Sequence, residues 1–361
     1  MNKKIMDRRN FLHLSGQCAA VSMLSGGLAA SAIASKHVSP KGAGVFVGSQ
    51  RVPVIDLHAH CAFSDVKELI RGTPFDRDFK IRLLGPERLQ AMAARRVDIQ
   101  VLSINQYWWY KADKQLASDI VRLHDEQMKA WCSLHEGRFV GLTSVALQFP
   151  ELAAEQLEYA VKELGLKGAS VGGHVNGVVP TGSEFDPFWA KAEELDVPVF
   201  VHPGGAHNIL REGALEGRGD LGNIVGNPLE TTLFLTKMIF DGTLDRFPGL
   251  TLCGAHGGGY LPSYLGRTEL ACEYRRDANC ANKRKPSEYL RDQIVVDSMI
   301  FSQEGLRHLY EEVGASQIVF GTDIPFRWPD ALDIILEAPY LTDAEKIAIL
   351  GGNLQRILKL T

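Results

Sequence analysis

The chain has 361 residues, and 39 lysines and arginines against 43 aspartates and glutamates give it a formal net charge of −4 at pH 7. Hydrophobic residues make up 45% of the chain and charged residues 23%, an ordinary globular composition that excludes disordered, collagen-like and polycationic nucleic-acid-binding proteins. Its six cysteines form no Cys-x-x-Cys pair, which argues against a structural zinc finger or a disulfide framework.

The first 34 residues have the pattern of an export signal. The basic start contains Arg8-Arg9 and is followed by Phe11-Leu12, a weakly apolar stretch too polar to span a bilayer well, and the cleavage-type run Ala32-Ile33-Ala34. This order favours a twin-arginine signal peptide over an extension of a cytoplasmic protein, and it predicts a periplasmic mature protein. Because the signal is basic, the mature chain is more acidic, and we expect neither a nucleic-acid partner nor a membrane association.

Residues 35–50 are predicted to be a flexible linker, and residues 51–361 one domain in which short β-rich runs alternate with amphipathic helices. The predicted strands are 52–57, 99–104, 139–145, 167–171, 198–201, 250–253, 294–297 and 318–320. Strands alternating with helices favour a parallel sheet, and a count of eight predicts a closed α/β structure, the (β/α)8 TIM barrel. An open doubly wound sheet is the alternative, but no Gly-x-Gly-x-x-Gly follows the first strand.

Five side chains that can bind a metal or carry a proton lie at the ends of predicted strands. His58 and His60 follow the first strand, and their spacing of two lets both side chains leave an extended chain on one side. His202 ends the fifth strand, His256 follows the sixth and Asp323 follows the eighth. Each alone could be a histidine bonded to a backbone carbonyl or an aspartate that caps a helix. All five side chains are predicted to lie at the mouth of the barrel, where barrel enzymes have their active sites. This arrangement favours a metal centre.

These motifs resemble a known family. His-x-His after the first strand, His-Pro after the fifth, His256-Gly257-Gly258-Gly259 after the sixth and Gly321-Thr322-Asp323 after the eighth are similar to the amidohydrolase superfamily. More narrowly, the stretch from about Val54 to Leu360 resembles the amidohydrolase-related decarboxylases typified by aminocarboxymuconate semialdehyde decarboxylase.

The resemblance implies a metal-dependent barrel in which His58, His60, His202 and Asp323 hold one divalent ion. Zn²⁺ is favoured, and Mn²⁺ accepts a similar donor set. Binuclear members of the superfamily bridge two ions with a carboxylated lysine at the end of the fourth strand. Here that end is Ser170-Val171-Gly172-Gly173, and Lys167 lies at the strand's beginning, so we expect a mononuclear site.

By the same resemblance, His256 acts with a metal-bound water as general acid or base, and Asp323 is both ligand and catalytic residue. Arg267 corresponds to an arginine that binds the substrate carboxylate from a neighbouring subunit, which implies a homodimer; a surface salt bridge is the alternative role. The leading expectation is a lyase that decarboxylates a small aromatic or unsaturated carboxylic acid. The alternative is a hydrolase of a lactone, an amide or a similar bond at the same site.

Other residues leave their roles open. Tyr107-Trp108-Trp109-Tyr110 follows the second strand and either stacks on the substrate or packs as a hydrophobic lid. Arg71, Arg77 and Arg82 lie in the loop after the first strand, where any of them could bind an anion. His207 is an extra ligand, a proton donor or simply polar surface. Cys272 and Cys280 could form a disulfide, but the sequence does not show whether their geometry permits it.

Overall fold

Eight parallel strands, each followed by helical structure, form the framework of the protein. The structure is a computed structural model that describes residues 44–78, 82–105, 108–206, 209–329 and 331–360. A short hairpin precedes them. In chain order the strands are β1 Val45–Val47, β2 Gln50–Val52, β3 Ile55–His60, β4 Ile99–Ser103, β5 Phe139–Gly141, β6 Ala169–Gly172, β7 Val199–His202, β8 Leu252–Gly254, β9 Ile294–Asp297 and β10 Ile318–Val319.

The helices lie between and after these strands. They are α1 Val66–Ile70, α2 Pro86–Ala94, α3 Lys114–Leu134, α4 Pro150–Lys162, α5 Asp186–Glu194, α6 Asn227–Phe240, α7 Thr243–Arg246, α8 Leu265–Tyr274, α9 Pro286–Asp292, α10 Gln303–Val313, α11 Leu332–Leu336, α12 Asp343–Ile347 and α13 Asn353–Ile357. Helix α4 coincides with the amphipathic segment that the sequence predicts there, and it buries Ala153, Leu157 and Ala160. Among the described residues, no helix is both long and apolar enough to cross a membrane.

The strands pair in chain order, all parallel. β3, β4 and β5 form one ladder, and β6 to β10 form another. A bridge between Thr143 and Ala169 joins β5 to β6, and a bridge between Ala59 and Ile324 joins β3 to the segment after β10. Backbone hydrogen bonds from Leu57 to Phe320 and from His60 to Ile324, both 2.9 Å, strengthen the second seam. The predicted (β/α)8 barrel is confirmed, with its eight strands close to the predicted positions.

The barrel interior is filled by apolar side chains from β3, β4 and β7 to β10, closed at one end by Leu354 and Leu358. The pairing of β3 with β4 shifts register between Asp56 and Ala59. A one-residue shift changes the face of the strand on which side chains emerge. The side chains of Ile55 and Leu57 therefore point into the barrel, and so do those of His58 and His60 after the shift. The predicted first strand therefore ends too early: β3 runs on through His60.

The prediction of a flexible linker over 35–50 is wrong at its end. Val45–Val47 pairs antiparallel with Gln50–Val52, and Val45 and Val47 are buried while Phe46 between them is exposed. This alternation lets the hairpin bury one face against the barrel domain, which a flexible segment would not do. The predicted signal peptide over 1–34 and the rest of the linker lie outside the described residues.

Cys272 and Cys280 form a disulfide, with their Cα atoms 5.9 Å apart. This separation lies within the range that a disulfide can bridge. The bond joins the end of α8 to the loop before α9, so the open question about this pair is settled in favour of a disulfide. Cys61, Cys132 and Cys253 are free thiols.

Candidate metal centre and active site

Four of the predicted side chains converge at the carboxyl ends of the strands. One ligand atom each from His58, His60, His202 and Asp323 lies within 4.8 Å of the other three, and all four residues are buried. His58 and His60 come from β3 and His202 is the last residue of β7, while Asp323 lies four residues beyond β10. The described part of the chain contains this one group with metal-ligand geometry, so the four predicted metal ligands do come together.

The carboxylate of Asp323 faces the two histidines of β3. Its Oδ1 lies 2.8 Å from Nε2 of His60 and 3.1 Å from Nε2 of His58. The ring of His202 meets the rings of both histidines nearly edge-on, with centroids 4.7 and 4.8 Å away. The Nε2 of His58 is buried and contacts Asp323 without a hydrogen bond of good geometry, as expected for two groups that are both directed at one metal ion. Three imidazoles and one carboxylate suit Zn²⁺ and are tolerated by Mn²⁺.

Asp297 orients His58. This aspartate ends β9, is fully buried, and its Oδ2 lies 2.7 Å from Nδ1 of His58. A carboxylate at Nδ1 keeps the proton on that nitrogen and leaves the lone pair of Nε2 for a metal. The Nδ1 of His202 is held in the same way by the carbonyl of Pro203, at 2.9 Å.

Asp297 is not among the predicted site residues, although a charged residue that closes the apolar run Ile294-Val295-Val296 is a signal that could have identified it. Buried charges are rare unless they are paired. The same aspartate accepts hydrogen bonds from the backbone N–H groups of His256, Gly257 and Met299. Asp297 therefore positions both a metal ligand and the predicted general acid.

Burial and the neighbouring charges set different protonation states in the cluster. Burial opposes protonation of His58, but Asp323 and Asp297 outweigh it and raise its pKa to about 10. Burial lowers the pKa of His60 to about 4, and burial together with the other histidines holds the pKa of His202 far below its usual value. For Asp323, His58 and His60 overcome the opposing effect of burial and keep its pKa well below the ordinary range. At neutral pH the site thus presents an ionised carboxylate and two neutral imidazoles, the forms that bind metal, and an incoming ion must displace the second proton of His58.

His256 lies beside the four ligands. Its Nε2 is 4.0 Å from Oδ2 of Asp323, and its ring centroid is 5.2 Å from that of His58. Burial, and then the charge on His58, lower the pKa of His256. A neutral imidazole at this position can accept a proton and return it, as expected for a general acid or base.

The backbone around His256 and Asp323 adopts conformations that L-residues rarely populate. His256 has φ +54° and Asp323 φ +55°, and Gly257, Gly258 and Gly259 all have positive φ. Such strain persists only when the surroundings enforce it. At Asp323 the enforcement comes from buried Asp56, which accepts hydrogen bonds from the N–H and the hydroxyl of Thr322 at 3.0 and 2.7 Å.

Glu230 in α6 holds the loops that follow β6 and β7. It is buried and accepts hydrogen bonds from the N–H groups of Gly173, Gly204 and Gly205, at 3.1, 2.8 and 2.8 Å. The loop after β7 begins at the ligand His202, so this carboxylate fixes the backbone beside the metal centre. The sequence does not indicate this role of Glu230, because its partners are backbone groups 25 to 57 residues away.

A cavity of about 820 Å³ opens next to the cluster. Gly172 and Gly204 line it, and Gly172 pairs in register with His202. The ring of Trp108 forms another wall, fixed by a 3.1 Å hydrogen bond from its Nε1 to the carbonyl of Ser170, with its centroid 6.0 Å from that of His202. The volume is within the range of small-molecule sites, about 300–1,000 Å³.

The aromatic segment after β4 divides between its two predicted roles. Trp108 lines the cavity, where a substrate ring can stack. Trp109 is buried and stacks on His124. Tyr110 is also largely buried, with its hydroxyl accepting a hydrogen bond from the N–H of Gly172, and it borders the same cavity. Tyr107 lies outside the described residues, as does His207.

The three arginines of the loop after β3 differ in position. Arg71 is exposed and pairs with Glu68. Arg77 lines the cavity. Arg82 lies over the ring of Phe326, which in turn meets the ring of His60 edge-on.

Arg267 lies in the first turn of α8 with its side chain exposed, and it is not among the residues that line the cavity of its own chain. Its predicted contact with a substrate across a subunit interface stays a prediction. Lys167 precedes β6, at the end of the strand away from the cluster, so it does not stand where a bridging lysine would be needed. The position of Lys167 agrees with a single-ion site built from His58, His60, His202 and Asp323.

Comparison with known proteins places this geometry in a family. A family model described as "Amidohydrolase" matches residues 55–360. The 2-amino-3-carboxymuconate-6-semialdehyde decarboxylase of Dictyostelium discoideum is 32% identical over 317 residues, which cover 85% of this chain and 85% of that protein.

Two solved structures share the fold. The crystal structure of 5-carboxyvanillate decarboxylase from Sphingomonas paucimobilis has a TM-score of 0.79 at 24% identity, and the match covers 86% of this chain and 100% of that one. A dihydroxybenzoic acid decarboxylase from Polaromonas sp. JS666, solved with manganese and the inhibitor 2-nitroresorcinol, has a TM-score of 0.71 at 25% identity over 86% and 97% of the two chains. The family match spans nearly the whole barrel domain, and the fold and the ligand cluster agree with it; the chain therefore belongs to the amidohydrolase family.

Proposed function

We propose that this protein is a metal-dependent carboxy-lyase that removes CO₂ from a small aromatic or unsaturated carboxylic acid. The observation that carries the proposal is the buried group of His58, His60, His202 and Asp323, with His256 beside it and a cavity adjoining it. The decarboxylases among the similar proteins support the choice of reaction over hydrolysis.

The reaction breaks the bond between a carbon atom and its carboxylate. CO₂ leaves, the electron pair stays on that carbon, and a proton must replace the carboxylate there. A divalent cation held by the four ligands would supply Lewis acidity, which polarises a substrate oxygen next to the reacting carbon so that the electron pair can delocalise.

His256 is the group that moves the proton. Its lowered pKa keeps it neutral at pH 7, so it first accepts a proton from a substrate hydroxyl or water and then donates it to the carbon. Asp323 has one oxygen directed at the histidines of β3 and the other toward His256, which suits it to stabilise the protonated form of His256. The ring of Trp108 covers the cavity wall and holds a planar substrate beside these groups.

We infer that the resident ion is Zn²⁺ or Mn²⁺. The donor set suits zinc, and a similar protein was solved with manganese. Reconstitution of metal-free protein with each ion in turn, followed by assay, distinguishes the two.

The test is CO₂ release by the metal-loaded protein from a panel of hydroxybenzoic and unsaturated acids. We expect turnover with at least one acid, and a loss of it in His256→Asn while the bound metal is retained. A protein that releases no CO₂ from the panel but cleaves lactones or amides would contradict the proposal and favour the hydrolase alternative.

We propose further that Arg267 binds a substrate carboxylate in the site of a partner copy. The apolar side chains of Tyr264, Leu270 and Tyr274, exposed on and beside the same helix, provide surface for such an interface. Mixing Arg267→Ala with His256→Asn tests this, because a mixed dimer contains one intact site. Recovery of activity on mixing supports the proposal, and no recovery in protein shown to exchange subunits refutes it.

We also propose that residues 1–34 direct twin-arginine export to the periplasm. The Arg8-Arg9 pair and the Ala32-Ile33-Ala34 run support this, and the Cys272–Cys280 disulfide is compatible with an oxidising compartment. We expect Arg8→Lys combined with Arg9→Lys to retain the protein in the cytoplasm. Unchanged fractionation of this variant would contradict export by that route.

A further inference from the structure

A buried arginine on the outer side of the barrel is hydrogen-bonded to the backbone of a metal ligand. Arg88 lies in the first turn of α2 and is only 6% exposed, although arginine is rarely buried unless it is paired. Its Nη2 donates to the carbonyl of His60 at 2.6 Å, and its Nη1 donates to Oε1 of Gln100 at 3.4 Å. A cation of the helix layer thus contacts the strand that carries two of the four ligands.

Gln100 connects this arginine to a buried carboxylate. Gln100 faces the helices, because the next residue, Val101, fills the barrel interior and side chains alternate along a strand. Its Nε2 donates to Oδ2 of Asp56 at 3.0 Å, so one amide bonds to a guanidinium on one side and a carboxylate on the other. Gln100 and Asp56 are both fully buried. The amide therefore joins two buried charges of opposite sign, and these bonds offset the cost of burying each charge.

Asp56 in turn holds the backbone beside two more ligands. Its Oδ1 accepts hydrogen bonds from the N–H groups of His58 and Thr322, both at 3.0 Å, and its Oδ2 accepts one from the hydroxyl of Thr322 at 2.7 Å. The same hydroxyl accepts a bond from the N–H of Ile324 at 3.3 Å. Thr322 and Ile324 are the two neighbours of the ligand Asp323, so these bonds fix the chain on both sides of its strained backbone.

These four buried side chains form one hydrogen-bonded chain, the outer network, which consists of Arg88, Gln100, Asp56 and Thr322. It contacts the N–H of His58, the carbonyl of His60 and the two peptides that flank Asp323. The network binds β3 where its pairing with β4 shifts register, between Asp56 and Ala59. Because a bulge disrupts the ladder locally, side-chain bonds must fix the direction of the strand there.

We propose that the outer network sets the coordination geometry and the affinity of the metal centre from outside the barrel, with Arg88 as a positioning residue. Arg88 touches neither the ion nor the substrate and acts through the backbone of His60 and through Gln100 and Asp56. The proposal rests on the metal site of the proposed function and is independent of which substrate bond is broken.

The first experiment titrates Co²⁺ into metal-free protein and records its visible absorption, which reports the geometry of the ligands. Thr322→Val removes the hydroxyl that binds Asp56 and retains the branched shape of the side chain. We expect Co²⁺ affinity to fall by about 10- to 100-fold, as for loss of other groups that orient metal ligands, and the absorption bands to shift. Thr322→Ser keeps the hydroxyl and should bind Co²⁺ with the affinity and spectrum of the wild type.

Thr143→Val is the matched control for a general loss of stability. Thr143 is also fully buried, and its hydroxyl donates to a buried carboxylate, that of Asp125 in α3, at the same distance of 2.7 Å. Thr143→Val therefore loses the same kind of bond outside the network. It should bind Co²⁺ as the wild type does.

The second experiment combines Arg88→Met with Thr322→Val. If both residues act through one network, the double variant loses less Co²⁺ affinity than the product of the two separate losses, whereas independent residues give the full product. Arg138→Met is the control for the arginine, because Arg138 also donates to backbone carbonyls, those of Asp98 and Val97, but is not part of the network. The Thr322 variants test the network even if Arg88→Met does not fold.

Three results would overturn the inference: wild-type affinity and spectrum in Thr322→Val, an equal loss of affinity in Thr143→Val, or independent losses in the double variant. A failure of the proposed decarboxylation is distinguishable from these, because it leaves every Co²⁺ titration unchanged.

Discussion

Replacing Asp297 by asparagine should weaken metal binding although all four metal ligands are retained. Asp297 is fully buried and accepts four hydrogen bonds, from Nδ1 of His58 at 2.7 Å and from the N–H groups of Gly257, His256 and Met299 at 2.8, 3.0 and 3.2 Å. In asparagine one oxygen becomes an NH₂ group that can only donate. If this group faces His58, it donates to Nδ1 and moves the ring proton to Nε2, which removes the lone pair that binds the ion.

If the NH₂ group of the asparagine replaces the other oxygen instead, the buried N–H groups of Gly257 and Met299 lose their acceptor. Each lost hydrogen bond would lower the free energy of unfolding by about 1–3 kcal/mol. We expect the first orientation, because it loses fewer hydrogen bonds. Metal affinity should then fall by about 10- to 100-fold, which is typical when a carboxylate that orients a ligand histidine is lost. The dissociation constants for Zn²⁺ and Mn²⁺, measured by competition with a chromogenic chelator at pH 7.5, test this directly.

Asp125→Asn is the matched control. Asp125 is also a buried aspartate, but it bonds to the hydroxyl of Thr143 at 2.7 Å and to none of the metal ligands. Its variant should bind metal as the wild type does. If the metal affinity of Asp297→Asn stays within twofold of the wild type, then Asp297 does not control the tautomer of His58.

Three further predictions concern the proton carrier, the disulfide and a buried carboxyl. His256→Asn should lower kcat by about 10²- to 10⁴-fold at unchanged metal content, as for loss of a general acid or base; retention of more than a tenth of the activity would exclude that role. Replacing both Cys272 and Cys280 by serine should lower the free energy of unfolding by about 2–3 kcal/mol, because the bond closes a short loop; an unchanged denaturant midpoint would contradict this. Burial raises the pKa of Asp125 from 3.8 to about 8, so the folded state binds the proton of this carboxyl more tightly than the unfolded state does. The stability that the protonated carboxyl contributes is therefore lost as pH rises from about 4 through about 8. Asp125→Asn should remove that loss, so unfolding curves at pH 5 and pH 9 that differ as much in the variant as in the wild type would disprove the assignment.

The barrel could be predicted from local sequence pattern, and the choice of the four metal ligands followed from the resemblance to the amidohydrolase family. Strand periodicity and apolar runs located all eight barrel strands, and a metal ligand that follows a parallel strand can lie only at the mouth. The exact end of β3 was not predictable, since it depends on a register shift against β4 between Asp56 and Ala59. The β1–β2 hairpin was missed because its strands are only three residues each, too short for a periodic signal.

Apart from the position of Asp297 at the end of an apolar strand, the sequence carries no signal for the carboxylates that support the site. Asp297, Glu230 and Asp56 act through backbone N–H groups and side chains brought together by barrel closure, and backbone groups have no residue signature. The division of roles between Trp108 and Trp109 likewise follows from which ring finds a partner: Ser170 for the first and His124 for the second. Adjacent residues of one chain face opposite ways, but which of them faces the cavity is decided by the tertiary structure.

We propose that decarboxylation requires one divalent ion, held by His58, His60, His202 and Asp323. The most direct measurement is the metal content per chain, by elemental analysis, of the wild type and of His202→Ala and Asp323→Ala, with CO₂ release assayed on the same samples. We expect about one ion per chain in the wild type and loss of both ion and CO₂ release in each variant. Two ions per chain, or CO₂ release that survives the loss of the ion, would contradict it.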